Sequence, residues 1–256
     1  MNRTKKKGRY NMIELKNLTV TYQDKPALLD ISLKIRENAI TGIIGPNGAG
    51  KSTLIKGMMD LVKKNSGVTT VDGNSLNNVR KNIAYVEQRN TIDLTFPIKV
   101  SETVLLGTFP KLGLFHRPKE REKQKVIESL KQVKMEEFKN RQIGELSGGQ
   151  LQRVFIARAL AQEADIIFLD EPFVGIDMNS EKVIIDLLKK LRNEGKTIVV
   201  VHHDLSKVTT YFDDLIILNQ KLISYGPISE SFTTKNIKAA YGDSMGDLMI
   251  KGVKDE

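Results

Sequence analysis

Between residues 12 and 22 the chain alternates apolar and polar positions, with Ile13, Leu15, Leu18, Val20 and Tyr22 on one side. That two-residue period is the mark of a half-buried strand. Residues 27–35 repeat it after Asp24-Lys25-Pro26, so the two runs predict a β-hairpin. Further along, alternation gives way to short solid apolar runs at 39–44, 166–169, 197–201 and 215–218. Such runs suit strands covered on both faces, as in a parallel sheet. Shorter strands are predicted at 67–73 and 83–86.

Helical periodicity separates these strands. Residues 52–61 follow the first buried run with helix-compatible side chains. In 180–192, Val183, Ile184, Leu187, Leu188 and Leu191 fall on one face, and Gly195 follows as a stop. Residues 148–161 place Leu151, Val154, Ile156, Ala157, Leu160 and Ala161 at helical positions. The stretch 91–146 has few strand-like runs. It predicts a short helix at 101–108 and a charged amphipathic one within 118–134, with Val126, Leu130 and Val133 on its apolar face and Pro118 in its first turn. Strand and helix alternating over 40–218 predict an α/β fold with a mostly parallel sheet, an N-terminal antiparallel β-subdomain and an inserted α-helical subdomain at about 89–162.

At 256 residues and 40% apolar content the chain is long enough for one large core with an insertion. The domain expected over 12–230 is flanked by a basic arm at 1–11 (Arg3, Lys5, Lys6, Lys7, Arg9) and a polar tail at 231–256. With no cysteine there is neither a disulfide framework nor a thiolate metal site, and three histidines offer little more. The longest apolar runs fall far short of the roughly 18 residues that span a bilayer, and no apolar signal segment follows the start. A soluble protein is expected. The net charge of +9 admits contact with anionic lipid or nucleic acid through the basic arm, which otherwise reads as a solvated tail.

The chemistry is concentrated where strands end. Gly45-Pro46-Asn47-Gly48-Ala49-Gly50-Lys51-Ser52-Thr53 fits the G-x-x-x-x-G-K-[ST] phosphate loop, with a strand before it and a helix after it. Its backbone amides and the helix dipole face a polyphosphate, Lys51 adds a full charge, and the Ser52 hydroxyl is suited to Mg2+. Tyr22, near the end of its strand, either stacks on adenine or simply covers a strand face. Ser147-Gly148-Gly149-Gln150 opens a helix at two glycines, a second anion-binding terminus. Asp170-Glu171 closes the run 165–169, placing two acids at a strand's carboxyl end.

These motifs, with Gln88 at a strand end and His202-His203-Asp204 after another, resemble in order and spacing the ATP-binding subunit of ABC transporters. The likeness spans about 12–226. It implies that ATP and Mg2+ are bound, that Asp170 orients the metal's water shell and that Glu171 polarises the attacking water. It further implies that Gln88 reaches metal and water, that His203 contacts the terminal phosphate, and that His202 is a strand-end residue. Asp177 corresponds to an aspartate of the family's following loop, though Val174-Gly175-Ile176 departs from the usual residues there. In this family the Ser147–Gln150 turn closes on the ATP of a second copy, so the resemblance implies an ATP-bound homodimer. It also implies an integral membrane permease docked on the helical insertion, an indirectly engaged extracytoplasmic solute-binding protein, no nucleic acid, and a place on the cytoplasmic face of the membrane.

Residues 85–97, Val104-Leu105-Leu106-Gly107, 171–177 and 201–205 are similar to the branch importing manganese, zinc or iron, although Glu87 and Leu94-Thr95 depart from it. Two other readings remain: an importer of a siderophore or vitamin, and a soluble ATPase acting on nucleic acid. The second normally brings two ATPase halves or a long coiled coil, which this chain lacks.

Overall fold

The structure, a computed structural model, describes residues 12–88, 93–113 and 116–242. The basic arm, Arg89, Ile92 and the end of the tail lie outside them. In chain order the elements begin with β1 (Ile13–Tyr22), β2 (Lys25–Ile35), β3 (Ile40–Ile44), α1 (Lys51–Met58), β4 (Ser66–Val71), β5 (Asn74–Ser75), α2 (Leu76–Val79) and β6 (Ile83–Val86). The helical insertion contributes α3 (Val100–Leu105), α4 (Phe109–Leu112), α5 (Glu120–Gln132) and α6 (Gly148–Ala161). The chain then returns through β7 (Ile166–Asp170), α7 (Met178–Asn193), β8 (Thr197–Val201), α8 (Val208–Tyr211), β9 (Asp214–Asn219) and β10 (Lys221–Pro227), and closes with α9 (Ile228–Ser231) and α10 (Thr234–Tyr241).

Two sheets form. The first, in order β2-β1-β4-β5, is antiparallel and contains the predicted hairpin. The second runs β10-β9-β3-β8-β7-β6, with all neighbours parallel except the edge pair β9 and β10. The expected α/β architecture is present, and the two-residue period explains its layers. In the larger sheet Ile43, Phe168, Val199, Val201, Ile216 and Leu218 point into a core shared with β1, β2 and α1. Their neighbours Ile44, Ile167, Leu169, Val200, Leu215 and Ile217 point the other way, into a core shared with the helices of the insertion, α7 and the C-terminal helices. The side facing β1 and β2 is thus covered by a sheet as well as a helix.

The register aligns the ends of the parallel strands. Ile43 lies beside Val201, Val201 beside Asp170, and Leu169 beside Val86. The loops leaving β3, β7, β8 and β6 therefore all emerge along one edge, where ligands of open parallel sheets bind.

In the insertion, α3, α5 and α6 pack on one another. Helix α5 starts later than Pro118, because Glu122 accepts the Lys119 N–H at 3.0 Å and fixes Lys119 as its cap. Val126, Leu130 and Val133 are buried as their spacing predicts. On α7, Ile185 joins the buried face and Val183 lies at its margin.

The polar composition past residue 230 hides continued structure. Phe232 (1% exposed), Ile237 and Ala240 belong to the main core, and the Thr233 hydroxyl caps α10 by accepting the Asn236 N–H at 3.2 Å. Asn219 reaches Ala240 O at 2.9 Å, tying that helix to β9. Eight residues give too short a periodic signal to read among lysines. Replacing Phe232 by Ala is expected to destabilise the whole domain by about 3–5 kcal/mol, measured by urea unfolding; a loss confined to local fraying would contradict this packing.

Candidate nucleotide site

The phosphate loop is arched by its own backbone. Gly50, the cap of α1, has φ +92°, and a Cβ there would lie 2.5 Å from Ala27 O, so β2 and the left-handed backbone together exclude a side chain. Behind the loop, Gln220 N–H donates to Ala49 O at 2.9 Å. Helix α1 has no acid in its first turn, leaving its positive end uncompensated.

Lys51 is 7% exposed and folds back onto the loop, donating to Gly45 O and Pro46 O, both at 2.9 Å. Burial lowers its pKa, opposed by the nearby charges of Glu171 and Asp170. Next to it, the Ser52 hydroxyl donates to Asp170 Oδ1 at 2.9 Å, and the Tyr85 hydroxyl donates to Asp170 Oδ2 at 3.3 Å. Asp170 is 2% exposed; burial pushes its pKa up, and the Ser52 bond works against this. The same burial raises the pKa of Tyr85, keeping it a neutral donor. Hydroxyl and carboxylate together form a hard, all-oxygen donor set of the kind small divalent cations take.

Glu171 follows β7 with φ +50°, a left-handed backbone that a non-glycine residue adopts only at about 1–2 kcal/mol. The turn aims its carboxylate back toward the loop, where Gln88 Nε2 donates to Oε2 at 2.7 Å. An open cavity of about 290 Å3 is lined by Tyr22, Ala27, Asn47, Gly48, Ala49, Gly50, Lys51, Ser52, Thr53 and Glu171. Tyr22 stands 46% exposed at this wall.

The two histidines part company. His203 is exposed, whereas His202 is 2% exposed among the rings of Phe173, Tyr211 and Phe212. Burial drives the His202 pKa down to about 4; the charges of His203 and Lys207 reinforce that, and Asp204 and Glu181 resist it.

None of Ser147, Gly148, Gly149 and Gln150 lines the cavity, and neither do Gln88, Asp170 and His203. Ser147 instead caps α6 reciprocally with Gln150: Gln150 N–H donates to Ser147 Oγ at 3.3 Å, and Ser147 N–H to Gln150 Oε1 at 3.0 Å. A Cβ on Gly149 would sit 2.4 Å from Ser180 Oγ, so this terminus packs flush against α7, which Asp177 caps through the Ser180 N–H at 2.9 Å. The cavity-lining Ala27 and the Asp170 partner Tyr85 were missed by motif reading. An alanine carries no chemical signal, and Tyr85 is legible only as a residue of β6 facing, with Ile83, the same core as Phe168.

A parallel sheet whose strand ends carry an arched phosphate loop, a buried aspartate bonded to that loop and a neighbouring glutamate defines a P-loop nucleoside triphosphatase. Residues 28–174 match the family described as ABC transporter. The chain is 60% identical over 91% of its length to the manganese transport system ATP-binding protein of Listeria innocua, covering 97% of it. It is 45% identical over 95% of its length to the zinc transport system ATP-binding protein of Treponema pallidum, covering 92% of it. Among solved structures, a metal-chelate type ABC transporter in an inward-facing conformation is similar at TM-score 0.79 and 26% identity, with 90% of this chain and 88% of that one covered. A dimeric ATP-binding cassette bound to ADP and phosphate is similar at TM-score 0.74 and 32% identity, covering 84% and 98%. The chain belongs to the ABC transporter family as an ATP-binding subunit, an ATPase coupled to transport.

The His202 ring sets a pH dependence. Its folded pKa lies below the ordinary value of 6.5, so the unfolded chain binds the proton more readily. Its contribution is complete above pH 6.5 and is lost as pH falls through about 4. Relative to His202→Asn, the wild type is expected to lose up to about 3 kcal/mol of unfolding free energy across that window. Parallel pH profiles in chemical denaturation would contradict it.

Proposed function

We propose that this chain hydrolyses ATP between two of its own copies to energise uptake of a divalent metal ion, manganese in the first instance. Identity of 60% over 91% of the chain to a manganese transport subunit is the observation that carries the cargo. Among the described residues no helix is long and apolar enough to cross a membrane. The path for the ion is accordingly assigned to a separate permease, with an extracytoplasmic solute-binding protein delivering the ion and this chain seated on the cytoplasmic face.

The residues divide the work. The amides of Gly48, Ala49, Gly50, Lys51, Ser52 and Thr53 bind the phosphates, while Asn47 and Tyr22 flank the nucleotide. Lys51 exchanges the Gly45 and Pro46 carbonyls for phosphate oxygens, a swap of neutral for charge-assisted bonds. Ser52 and Asp170, already joined, fit Mg2+, with Gln88 nearby; when bound, that ion neutralises charge developing on the terminal phosphates. Glu171, held by Gln88, accepts a proton from the attacking water or polarises it. His203, projecting from the end of β8, contacts the terminal phosphate. The Ser147–Gln150 turn serves the ATP of the second copy, a reading supported by the dimeric cassette similar in fold.

Lys51→Ala is expected to reduce turnover on the order of a hundredfold or more, together with ATP affinity. Glu171→Gln should bind ATP with near-normal affinity, hydrolyse it at least about a hundredfold more slowly and accumulate as a dimer by size exclusion. Normal turnover by either variant would refute the site. For the cargo, cells lacking this chain should lose uptake of radiolabelled manganese and regain it with the wild type but not with Lys51→Ala; unchanged manganese uptake alongside a lost siderophore or vitamin would favour the other solute class.

A further inference from the structure

The loop that carries His203 is tethered by a partly buried ion pair that the motifs do not include. Glu181, in the first turn of α7, is 8% exposed. Both its oxygens accept from Lys207 Nζ, at 2.8 and 2.7 Å. Lys207 Nζ stands 6.0 Å from the centroid of the Tyr211 ring. Lys207 also lies 3.7 Å from Asp204, the residue after His203. Asp204 closes the turn by accepting the Ser206 N–H at 3.0 Å and the Ser206 hydroxyl at 2.6 Å. At the other end of the loop, His202 N–H is bonded to Ile43 O at 3.0 Å.

The Glu181 end is enclosed while Lys207 keeps contact with solvent, and removing Lys207 would leave the carboxylate without its partner. Its anchor is the turn that Asp177 caps, because Glu181 N–H donates to Asp177 O at 2.9 Å and Gly149 of α6 abuts Ser180. A continuous set of contacts therefore joins the Ser147–Gln150 end of α6 to the backbone beside His203 within one chain.

We propose that Glu181 and Lys207 are positioning residues that fix the His203 loop to the start of α7 and so set where His203 meets the terminal phosphate. The inference rests on the assignment of His203 to the terminal phosphate. Neither residue touches the nucleotide; both act through His203. The pair should therefore govern the chemical step and leave ATP binding, which depends on the phosphate loop, nearly untouched.

The test is steady-state MgATP hydrolysis by the full chain, with thermal melting as a control. Lys207→Met is expected to lower kcat roughly ten- to hundredfold with KM for ATP within about twofold, a misplacement effect, and Lys207→Arg, able to bridge the same carboxylate, should recover most of the loss. In the His203→Ala background Lys207→Met should add no further loss, since both act through one side chain. If Lys207→Met does not fold, Glu181→Gln carries the test by removing the charge that holds Lys207 while keeping the side chain's size, again with kcat reduced at constant KM. Wild-type kcat in Lys207→Met or Glu181→Gln while His203→Ala is impaired would overturn the tether alone, as would losses that multiply in the double variant. Wild-type turnover by His203→Ala would overturn the His203 assignment and the tether with it.

Discussion

The hydrogen bond from Ser52 to Asp170, 2.9 Å long, joins two stretches 118 residues apart in the chain. One end starts the helix behind the phosphate loop; the other terminates the buried strand β7. Every chemical group of the site is placed relative to this link, because Glu171 is the next residue after Asp170, Gln88 is bonded to Glu171, and Lys51 precedes Ser52. The parallel register then sets the His203 loop on the same edge.

The geometry is prepared in advance. Lys51 occupies loop carbonyls, Asp170 holds two hydroxyl donors, and Glu171 is kept in a left-handed backbone by its surroundings. Asp170 and Glu171 are thereby held in place, while Lys51 must exchange its loop carbonyls for phosphate oxygens before it can stabilise charge there. The Ser147–Gln150 terminus does not line the cavity; it is capped by its own side chains and packs closely against α7.

Much of this was legible from sequence because periodicity and motif agree. The alternation of 13–22 became β1, the solid runs became buried parallel strands, and hydrogen bonds join Ser52 to Asp170 and Gln88 to Glu171. The separation of His202 from His203 also followed, since a strand-end residue facing inward must be buried. Other features were invisible for physical reasons. Helix α10 is too short and too lysine-rich to show its apolar stripe, and the pairing of Glu181 with Lys207 spans 26 residues with no pattern to announce it. Tyr85 looks like an ordinary strand aromatic until its hydroxyl is seen on Asp170.

The most direct test of the account is a crystal structure of the Glu171→Gln chain grown with MgATP. The account predicts that Lys51 leaves the carbonyls of Gly45 and Pro46 for the outer phosphates, that Ser52 and Asp170 face the magnesium ion, and that Ser147–Gln150 of a second copy closes over the same nucleotide. A nucleotide bound with Lys51 still on its own loop, or with that turn facing only solvent, would contradict it.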